Sequence, residues 1–429
     1  MFFERTKRKR LNSDAEKARK LLSPRKTFSV LLLVMLLSIA VAGTVIPVHG
    51  ASTWYVDPSG TNDGFHGTGT GTGALKTLQY AIDDSRVVVG DMIQVATGTY
   101  TENLVINKGI TLKSSGGAGS TTINPAVTSD LLIDIKANYV TVDGFTVSGH
   151  TGGDKPFGQG AAIFVRGVDH CTIKNNILTG NTGESDIGLF GGCNDMPGVY
   201  PDYNTVYNNV IYGGGKGYGI KVKGSHNTID SNTLYNLDEA IALWSLEPPG
   251  ENTSPDYNTI SNNVISAGSK LNKGISIKTG HHTTVTGNTI TSAVWCGIFV
   301  YSDSKMKTEG DFDIRPAYCT ISGNTITGGE AGIVLTEGAN HFTISGNTIS
   351  GTSVAGILGS VSRWPEDWTA SPSSYLQGAP QAYLQITDHT ISGNTISNCG
   401  HGVAMQYGDR NTLTGNTYVF SFFVLVSRG

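Results

Sequence analysis

Short runs of alternating apolar and polar residues recur along most of this chain. The clearest run is Ile321-Ser322-Gly323-Asn324-Thr325-Ile326, which returns at 344–349 and 391–396. Looser copies begin at the following residues: Ile173, Val206, Ile229, Ile260, Val285 and Leu413. Apolar residues at every second position indicate strands rather than helices. A repeat this short cannot bury a core alone, so the sequence predicts a solenoid of stacked coils.

A second apolar strand, with the pattern Gly-Ile-x-Val, recurs between the copies of this motif. Its first apolar residue occurs at nine places: Ile163, Ile187, Ile220, Ile241, Ile275, Ile298, Ile333, Ile357 and Val403. Stacking would align these residues as one inward column. The Asn of the first motif is interpreted as a structural ladder, because Asn tolerates a left-handed corner and stacked amides hydrogen-bond between coils. The predicted ladder comprises Asn175, Asn208, Asn232, Asn262, Asn288, Asn324, Asn347, Asn394 and Asn416.

These repeats resemble those of the right-handed parallel β-helix superfamily, the pectate-lyase-like fold, and in particular the PbH1 repeats of NosD-like surface proteins. The resemblance covers roughly residues 53–417. It implies an all-β fold, a right-handed parallel β-helix solenoid. Members of the superfamily include polysaccharide lyases, glycoside hydrolases, uronate epimerases and adhesins, so the fold alone does not choose a function.

Four segments follow from the pattern. Residues 1–50 are predicted to be a signal peptide or signal anchor, because basic residues precede an apolar run from Phe28 to Val48. Residues 51–130 are predicted to form an N-terminal cap and the first coils, with a capping helix from Ala74 to Asp83 and strands at 54–56, 92–95, 104–106 and 110–112. Residues 131–417 hold the β-helix repeats. The apolar tail at 418–429 is a closing strand, an interface or a truncation.

Charge and cysteine usage restrict the function classes. Residues 51–429 keep 20 basic and 31 acidic residues, a net charge of −11. This balance disfavours nucleic-acid binding, which needs a basic face. The sequence therefore predicts a secreted or cell-surface protein that contacts the membrane only through its N-terminal segment. The five cysteines have no metal-site spacing, and most are expected to be small buried hydrophobes.

Insertions fall in every second coil, always between the second strand and the next motif. Short and long connections alternate strictly, and the long loops are 191–203, 245–257, 302–318 and 361–388. Stacking would place these loops side by side as one wall along the solenoid.

An outward stripe beside this wall is the candidate binding surface. It lies three residues after each inward Ile and begins Arg166, Phe190, Lys223, Trp244, Lys278, Tyr301, followed by Thr336, Ser360 and Gln406. Cations alternate with aromatic residues over six coils, and like residues would repeat at about 9.6 Å, close to a disaccharide step. Sugar faces could stack on Phe190, Trp244 and Tyr301, and the cations could pair with acidic groups. The alternative is an ordinary solvated strand face, on which Lys and aromatic residues are common.

Loop residues add candidates for substrate and metal binding. Trp364 and Trp368 are further predicted substrate-binding residues, and Glu309, Asp311 and Asp313 are the predicted metal ligands. The resemblance to polysaccharide lyases implies that Lys223, Lys278 or Arg166 removes a proton from a uronate while acids hold calcium. Two carboxylates could instead hydrolyse a glycosidic bond. Acidic loops are more often simply solvated.

The function predicted from the sequence is binding, and as a narrower hypothesis cleavage, of an acidic extracellular polysaccharide. A lyase is the first enzyme class and a glycoside hydrolase the second. No cofactor is expected to be required, and calcium is the candidate ion. The rival function is a non-enzymatic structural or adhesive surface protein. Regular Thr-x-Thr columns, as in ice-binding helices, are not found in the sequence.

Overall fold

The computed structural model describes most of the chain after residue 49. The described ranges are 50–152, 160–191, 199–213, 217–244, 254–266, 271–278, 280–301, 316–336, 338–360, 386–406, 408–421 and 425–427.

Three parallel sheets run the length of the solenoid, and each coil contributes one strand to each of them. Sheet A contains Thr53–Val56, Met92–Val95, Thr111–Ser114, Thr141–Asp143, Thr172–Lys174, Thr205–Tyr207, Thr228–Asp230, Thr259–Ser261, Thr284–Thr286, Thr320–Ser322, Thr343–Ser345, Thr390–Ser392 and Thr412–Thr414. Sheet B contains Gly98–Thr101, Thr121–Asn124, Thr146–Ser148, Ile177–Thr179, Val210–Tyr212, Thr233–Tyr235, Val264–Ser266, Thr289–Thr291, Thr325–Thr327, Thr348–Ser350, Thr395–Ser397 and Thr417–Val419. Sheet C contains Leu104–Ile106, Ile133–Ile135, Ala161–Arg166, Ser185–Phe190, Tyr218–Val222, Glu239–Leu243, Lys273–Ile277, Cys296–Val300, Ala331–Thr336, Ala355–Ser360, His401–Gln406 and Leu425–Ser427. The predicted parallel β-helix is confirmed.

The core is a set of inward columns that run along the axis. Ile163 pairs with Ile187, Ile187 with Ile220, and the series continues through each coil to Val403. All nine side chains of the predicted inward column are fully buried. Alternation by two residues along each strand is what places them on one face.

The glycine of the Gly-Ile-x-Val pattern lies where sheet C approaches sheet B. A Cβ atom on Gly332 would come within 2.5 Å of both the carbonyl oxygen of Gly356 and Cγ2 of Ile349. Gly297 and Gly356 would make the equivalent clashes in their own coils. Glycine is needed here for close approach, which is one of its usual reasons in a strand.

The asparagine ladder exists. In three coils, however, the ladder residue is the one that directly follows the predicted asparagine. Each ladder side chain accepts hydrogen bonds from the preceding coil; Oδ1 of Asn324, for example, lies 3.0 Å from both the backbone nitrogen and Nδ2 of Asn288. The members found are Asn176, Asn209, Asn232, Asn263, Asn288, Asn324, Asn347, Asn394 and Asn416.

Asn175, Asn208 and Asn262 lie one position before the buried ladder, and Nδ2 of Asn208 donates to Oδ1 of Asn175 in the preceding coil at 2.8 Å, so this pair does make the expected amide contact at an exposed position. These three residues have φ angles of 56°, 51° and 54° and form the left-handed corner itself, before the buried amide. The corner and the ladder were assigned to one residue, whereas two consecutive residues divide these roles. Gly323 and Gly346 hold the corner in later coils, with φ of 63° at each.

The N-terminal end is closed by the cap that the sequence predicts, with a shorter helix. Helix α1 spans Leu78–Asp83 rather than beginning at Ala74, because Leu75 bridges to Val56 as an extended residue. The carboxylate of Glu102 accepts the first helical N–H groups, at 2.9 Å from Leu78 and Gln79. Leu75, Leu78 and Ile82 are buried, as expected for the core-facing side. A short 3-10 helix spans Gly71–Gly73.

The strand expectations for the cap also agree closely with the structure. Met92–Val95 and Leu104–Ile106 form as predicted, and the strand expected at 110–112 is Thr111–Ser114. At the other end, Leu425–Ser427 in the apolar tail pairs in parallel with His401–Gln406 of sheet C. No helix in the described part of the chain is long and apolar enough to cross a membrane.

Sheet A carries a threonine column that sequence analysis missed. Eleven successive coils begin their sheet A strand with threonine, from Thr111 to Thr412, and the register places these residues directly beside one another. The last six strands read Thr-x-Ser or Thr-x-Thr. Only Thr284–Thr286 and Thr412–Thr414 of these six carry threonine at both positions, so the described strands of sheet A form a single threonine column rather than the regular Thr-x-Thr column that the sequence excluded.

The four described cysteines are buried free thiols: Cys171, Cys296, Cys319 and Cys399. Burial raises the pKa of Cys171 to about 11 and of Cys319 to about 12, which suits inert packing residues.

Candidate functional site

The predicted stripe is present as one column on the outer face of sheet C. Arg166 pairs with Phe190, and the backbone N–H groups of Trp244 and Tyr301 donate to Val222 and Ile277 of the preceding coils at 2.8 Å and 3.0 Å. Each coil therefore contributes one stripe residue at the spacing of neighbouring strands. The alternation of short and long loops does not disturb this register.

Trp244 lies between two lysines from the neighbouring coils. The Nζ atoms of Lys221, one coil earlier, and Lys278, one coil later, each lie 4.1 Å from the centre of its ring. A cation at this distance is attracted to the negative face of the indole. The Nε1 atom of Trp244 is buried and has no hydrogen-bond partner among the described residues.

The other predicted lysine also lies against an aromatic ring. Lys223 Nζ is 5.7 Å from the ring centre of Phe190, and Lys221 lies 5.2 Å from the same ring. Three ammonium groups thus surround two aromatic side chains over four coils. Lys223 and Lys278 thus each lie beside an aromatic residue of the stripe, and Lys221, which the sequence analysis did not name, joins them.

Exposure differs along the stripe. Phe190 is fully buried, and Lys223 and Lys278 are each 4% exposed. Phe190 stacks on Phe164, with ring centres 5.9 Å apart, so its face is not open to a sugar in this conformation. Trp244, Tyr301 and Arg166 are half-buried. The aromatic side chains that reach solvent are therefore Trp244 and Tyr301.

Two lysines near the stripe, Lys221 and Lys273, have acidic partners. Lys221 forms an ion pair with Glu184, and Lys273 forms one with Glu239. Burial lowers the pKa of the Lys221 ammonium, and the Glu184 carboxylate opposes that shift. Arg166, the third predicted catalytic residue, donates from Nε to Asp134 Oδ1 at 3.0 Å. Its guanidinium is thus held as a structural ion pair.

Sequence analysis missed Lys221, Glu184, Glu239 and Lys273. Alternation along the strand could have identified Lys221, because it follows Ile220 directly and so points outward with the stripe. The pairing of Lys273 with Glu239 could be found only from the strand register, which places these two residues side by side on neighbouring strands of sheet C.

The remaining predicted residues lie outside the described residues. These are Trp364, Trp368, Glu309, Asp311 and Asp313. Within the described ranges, no three His, Cys, Asp or Glu side chains come together as a metal site.

Comparison with known proteins places this chain in a family. The family model described as the right handed beta helix region matches residues 132–313, 198–362 and 273–421. A cell surface glycoprotein of Methanothermus fervidus is 40% identical over 101 residues, which are 24% of this chain and 15% of that protein. The match therefore spans a small part of that relative's length.

Several solved structures share the fold at low identity. The surface adhesin PfbA of Streptococcus pneumoniae has a TM-score of 0.55 at 12% identity, covering 77% of this chain and 83% of the adhesin. The catalytic unit of an alpha-1,3-glucanase from Streptomyces thermodiastaticus has a TM-score of 0.53 at 14% identity, covering 88% of this chain and 70% of that unit. The N-terminal fragment of gene product 12 of bacteriophage Phi29 has a TM-score of 0.54 at 12% identity, covering 76% of this chain and 61% of the fragment. The strand topology and the family match over most of the coils agree, and the chain belongs to the right-handed β-helix family.

Proposed function

We propose that this protein is exported to the cell surface, where the outer face of sheet C binds an acidic polysaccharide. The observation that supports binding is the position of Trp244, whose ring lies 4.1 Å from the ammonium groups of both Lys221 and Lys278. Ammonium groups pair with carboxylates or sulfates, and a half-buried indole offers apolar contact to a sugar ring.

Export and surface location have separate support. The basic segment followed by an apolar run before residue 50 is typical of a signal peptide or signal anchor. The relative in Methanothermus fervidus is named a cell surface glycoprotein, which agrees with this location. The low-identity structures include an adhesin and a glucanase, so the fold leaves both functions open.

The burial of the lysines indicates how a ligand would bind. A carboxylate must reach Lys223 and Lys278, which are 4% exposed, so binding requires these side chains to turn outward from Phe190 and Trp244. The charge-assisted hydrogen bond that the lysine gains is comparable in free energy to the cation–π contact that it gives up. Cleavage is a narrower hypothesis, in which Lys223 or Lys278 acts as the base and calcium at Glu309, Asp311 and Asp313 neutralises the uronate.

The test is binding of the full chain to pectate, alginate, hyaluronan and chondroitin, with calcium and with a chelator. Lys278→Met removes the charge but keeps the length of the side chain, and it should weaken binding at least about tenfold. Lys174→Met, on sheet A, is the matched control and should bind normally. Retained affinity in Lys278→Met would contradict the proposed site.

The same samples separate the enzymatic and structural alternatives. A rise in ultraviolet absorbance from an unsaturated uronate would identify a lyase, and new reducing ends without that absorbance would identify a hydrolase. If the full chain binds none of the four acidic glycans, the structural or adhesive alternative replaces the proposal. The buried Phe190 is the observation that favours this alternative.

A further inference from the structure

A ladder of eight aromatic rings lies on the exposed corner between sheets C and A. Tyrosine and histidine alternate strictly, one ring per coil, and the members of this Tyr–His ladder are Tyr139, His170, Tyr203, His226, Tyr257, His282, Tyr318 and His341. Successive ring centres are 4.6–5.4 Å apart, and the rings are inclined by 26° at most. Their faces therefore cover one another, and their edges form a continuous row.

The row faces solvent. Tyr139 is 63% exposed, and the three tyrosines that end long loops, Tyr203, Tyr257 and Tyr318, are 51–52% exposed. The four histidines are exposed as well. The edges thus present phenol hydroxyls and imidazole nitrogens, which both donate and accept hydrogen bonds.

Backbone conformation makes this choice of residues unusual. All eight residues are left-handed, with φ between 55° and 63°. This conformation is strained for tyrosine, although histidine tolerates it better, and the next corner of the same coils meets the same requirement with Asn262 or Gly323. Strain retained at exposed positions, where glycine or asparagine would serve, points to a function for the rings.

A second row of hydrogen-bonding groups runs beside the ladder. Each ring is followed two residues later by a threonine of the sheet A column, from Tyr139 and Thr141 to His341 and Thr343. The register keeps these threonines beside one another in successive coils. Ring edges and hydroxyls therefore repeat together, once per coil, along a two-row track.

The charges beside the track disfavour an acidic partner. Asp169, Asp202 and Asp256 each precede a ladder residue, and their Oδ1 atoms accept backbone N–H bonds from the next coil at 2.9, 2.7 and 2.6 Å. At the C-terminal end the corner continues as an ion pair, with Arg410 Nε 2.7 Å from Asp388 Oδ1. The track lies beside these carboxylates, which would repel a polyanion.

We propose that the Tyr–His ladder and its threonine row bind an uncharged, extended, β-linked glycan that lies along the solenoid axis. Successive strands are about 4.8 Å apart, and an extended β-linked glycan advances by nearly the same distance per sugar. Each sugar would meet one ring edge and one threonine hydroxyl. This surface is separate from the outer face of sheet C and does not depend on the function proposed for it.

The test is titration calorimetry of the full chain with β-1,4-linked xylo- and manno-oligosaccharides from disaccharide to octasaccharide. Affinity should rise with length, because longer chains contact more coils. The double variant Tyr203→Asn, Tyr257→Asn should weaken octasaccharide binding at least about tenfold, since asparagine keeps the left-handed corner but lacks the ring.

A matched control removes one exposed and one half-buried tyrosine elsewhere. Tyr212 and Tyr235 lie on sheet B, where the centres of their rings are 4.3 Å apart. The double variant Tyr212→Asn, Tyr235→Asn should bind as the native chain does. Failure of the native chain to bind these oligosaccharides would overturn the proposal, as would equal affinity of the two double variants or affinity that is independent of length. Lys278→Met should keep neutral oligosaccharide binding, so a failure here is distinguishable from a failure of the acidic-glycan site.

Discussion

The Nδ1 atom of His389 accepts a 3.0 Å hydrogen bond from the backbone N–H of Phe342, one coil earlier. Other coils fill the same buried column with asparagine; Asn227 Oδ1, for example, accepts from the Asn204 backbone N–H at 2.8 Å. A nitrogen that accepts a hydrogen bond carries no proton, so His389 is neutral. Burial lowers the pKa of His389 to about 4.

We expect His389→Asn to remove an acid sensitivity of folding. Histidine in the unfolded chain titrates near pH 6.5, so the unfolded state binds more protons than the folded state between about pH 6.5 and 4. The stability that His389 contributes is complete above this window and is lost as the pH falls through it, by roughly 2–3 kcal/mol. Urea midpoints near neutral pH and near pH 4.5 measure the effect. If acidification lowers the urea midpoint equally in the native protein and in His389→Asn, this explanation is contradicted.

Asp186 should show the opposite pH dependence. It is fully buried, which raises its pKa to about 7, although Asn181 Nδ2 donates to its Oδ1 at 2.9 Å. The folded state therefore holds a proton that the unfolded state releases near pH 4. Stability is lost as the pH rises from about 4 to about 7. Asp186→Asn should gain roughly 2–4 kcal/mol at neutral pH and little near pH 4. Thermal or urea unfolding at both pH values checks this, and a gain that is independent of pH would count against it.

Because corner and ladder are different positions, substituting an asparagine should reduce the free energy of unfolding by different amounts at the two positions. Asn288 is fully buried and accepts from Asn263 while donating to the Ile260 carbonyl oxygen at 2.9 Å, so Asn288→Ala leaves several buried polar groups unpaired. We expect a loss of roughly 3 kcal/mol or more in the free energy of unfolding. Asn262→Gly at the exposed corner should change it by less than about 1 kcal/mol, since glycine adopts the same φ. Similar losses in the two variants would show that the buried bonds are not the cause.

The glycine of the Gly-Ile-x-Val strand and the glycine of the corner motif should differ in how well they tolerate a side chain. Gly332→Val places atoms within 2.5 Å of the Gly356 carbonyl oxygen and Ile349, so sheets B and C must separate locally. A loss of at least about 1–3 kcal/mol is expected from this overpacking. Gly346→Asn is the control, because no atom lies within 4 Å of its added Cβ and asparagine tolerates φ of 63°. Chemical unfolding of both variants gives the comparison, and a tolerated Gly332→Val would disprove the close-approach explanation.

The amino-acid pattern alone determined the coils and their inward faces. Ile163 and its eight counterparts were identified correctly because alternation is local and survives any insertion between strands. The capping helix and three of the first strands followed from the same kind of local pattern. The stripe from Arg166 to Tyr301 was also aligned correctly, since each residue is counted from its own inward Ile.

Tertiary structure decided what depends on contacts between coils. Asn175 and Asn176 are both asparagine, and only the packed corner shows which amide turns inward. The Tyr–His ladder and the threonine column appear once the register aligns coils that are separated by loops of different length. Burial of Phe190, Lys223 and Lys278 depends on residues far away in the chain. Alternation specifies the face on which a side chain lies, whereas exposure and partners are set by long-range packing, which no local pattern encodes.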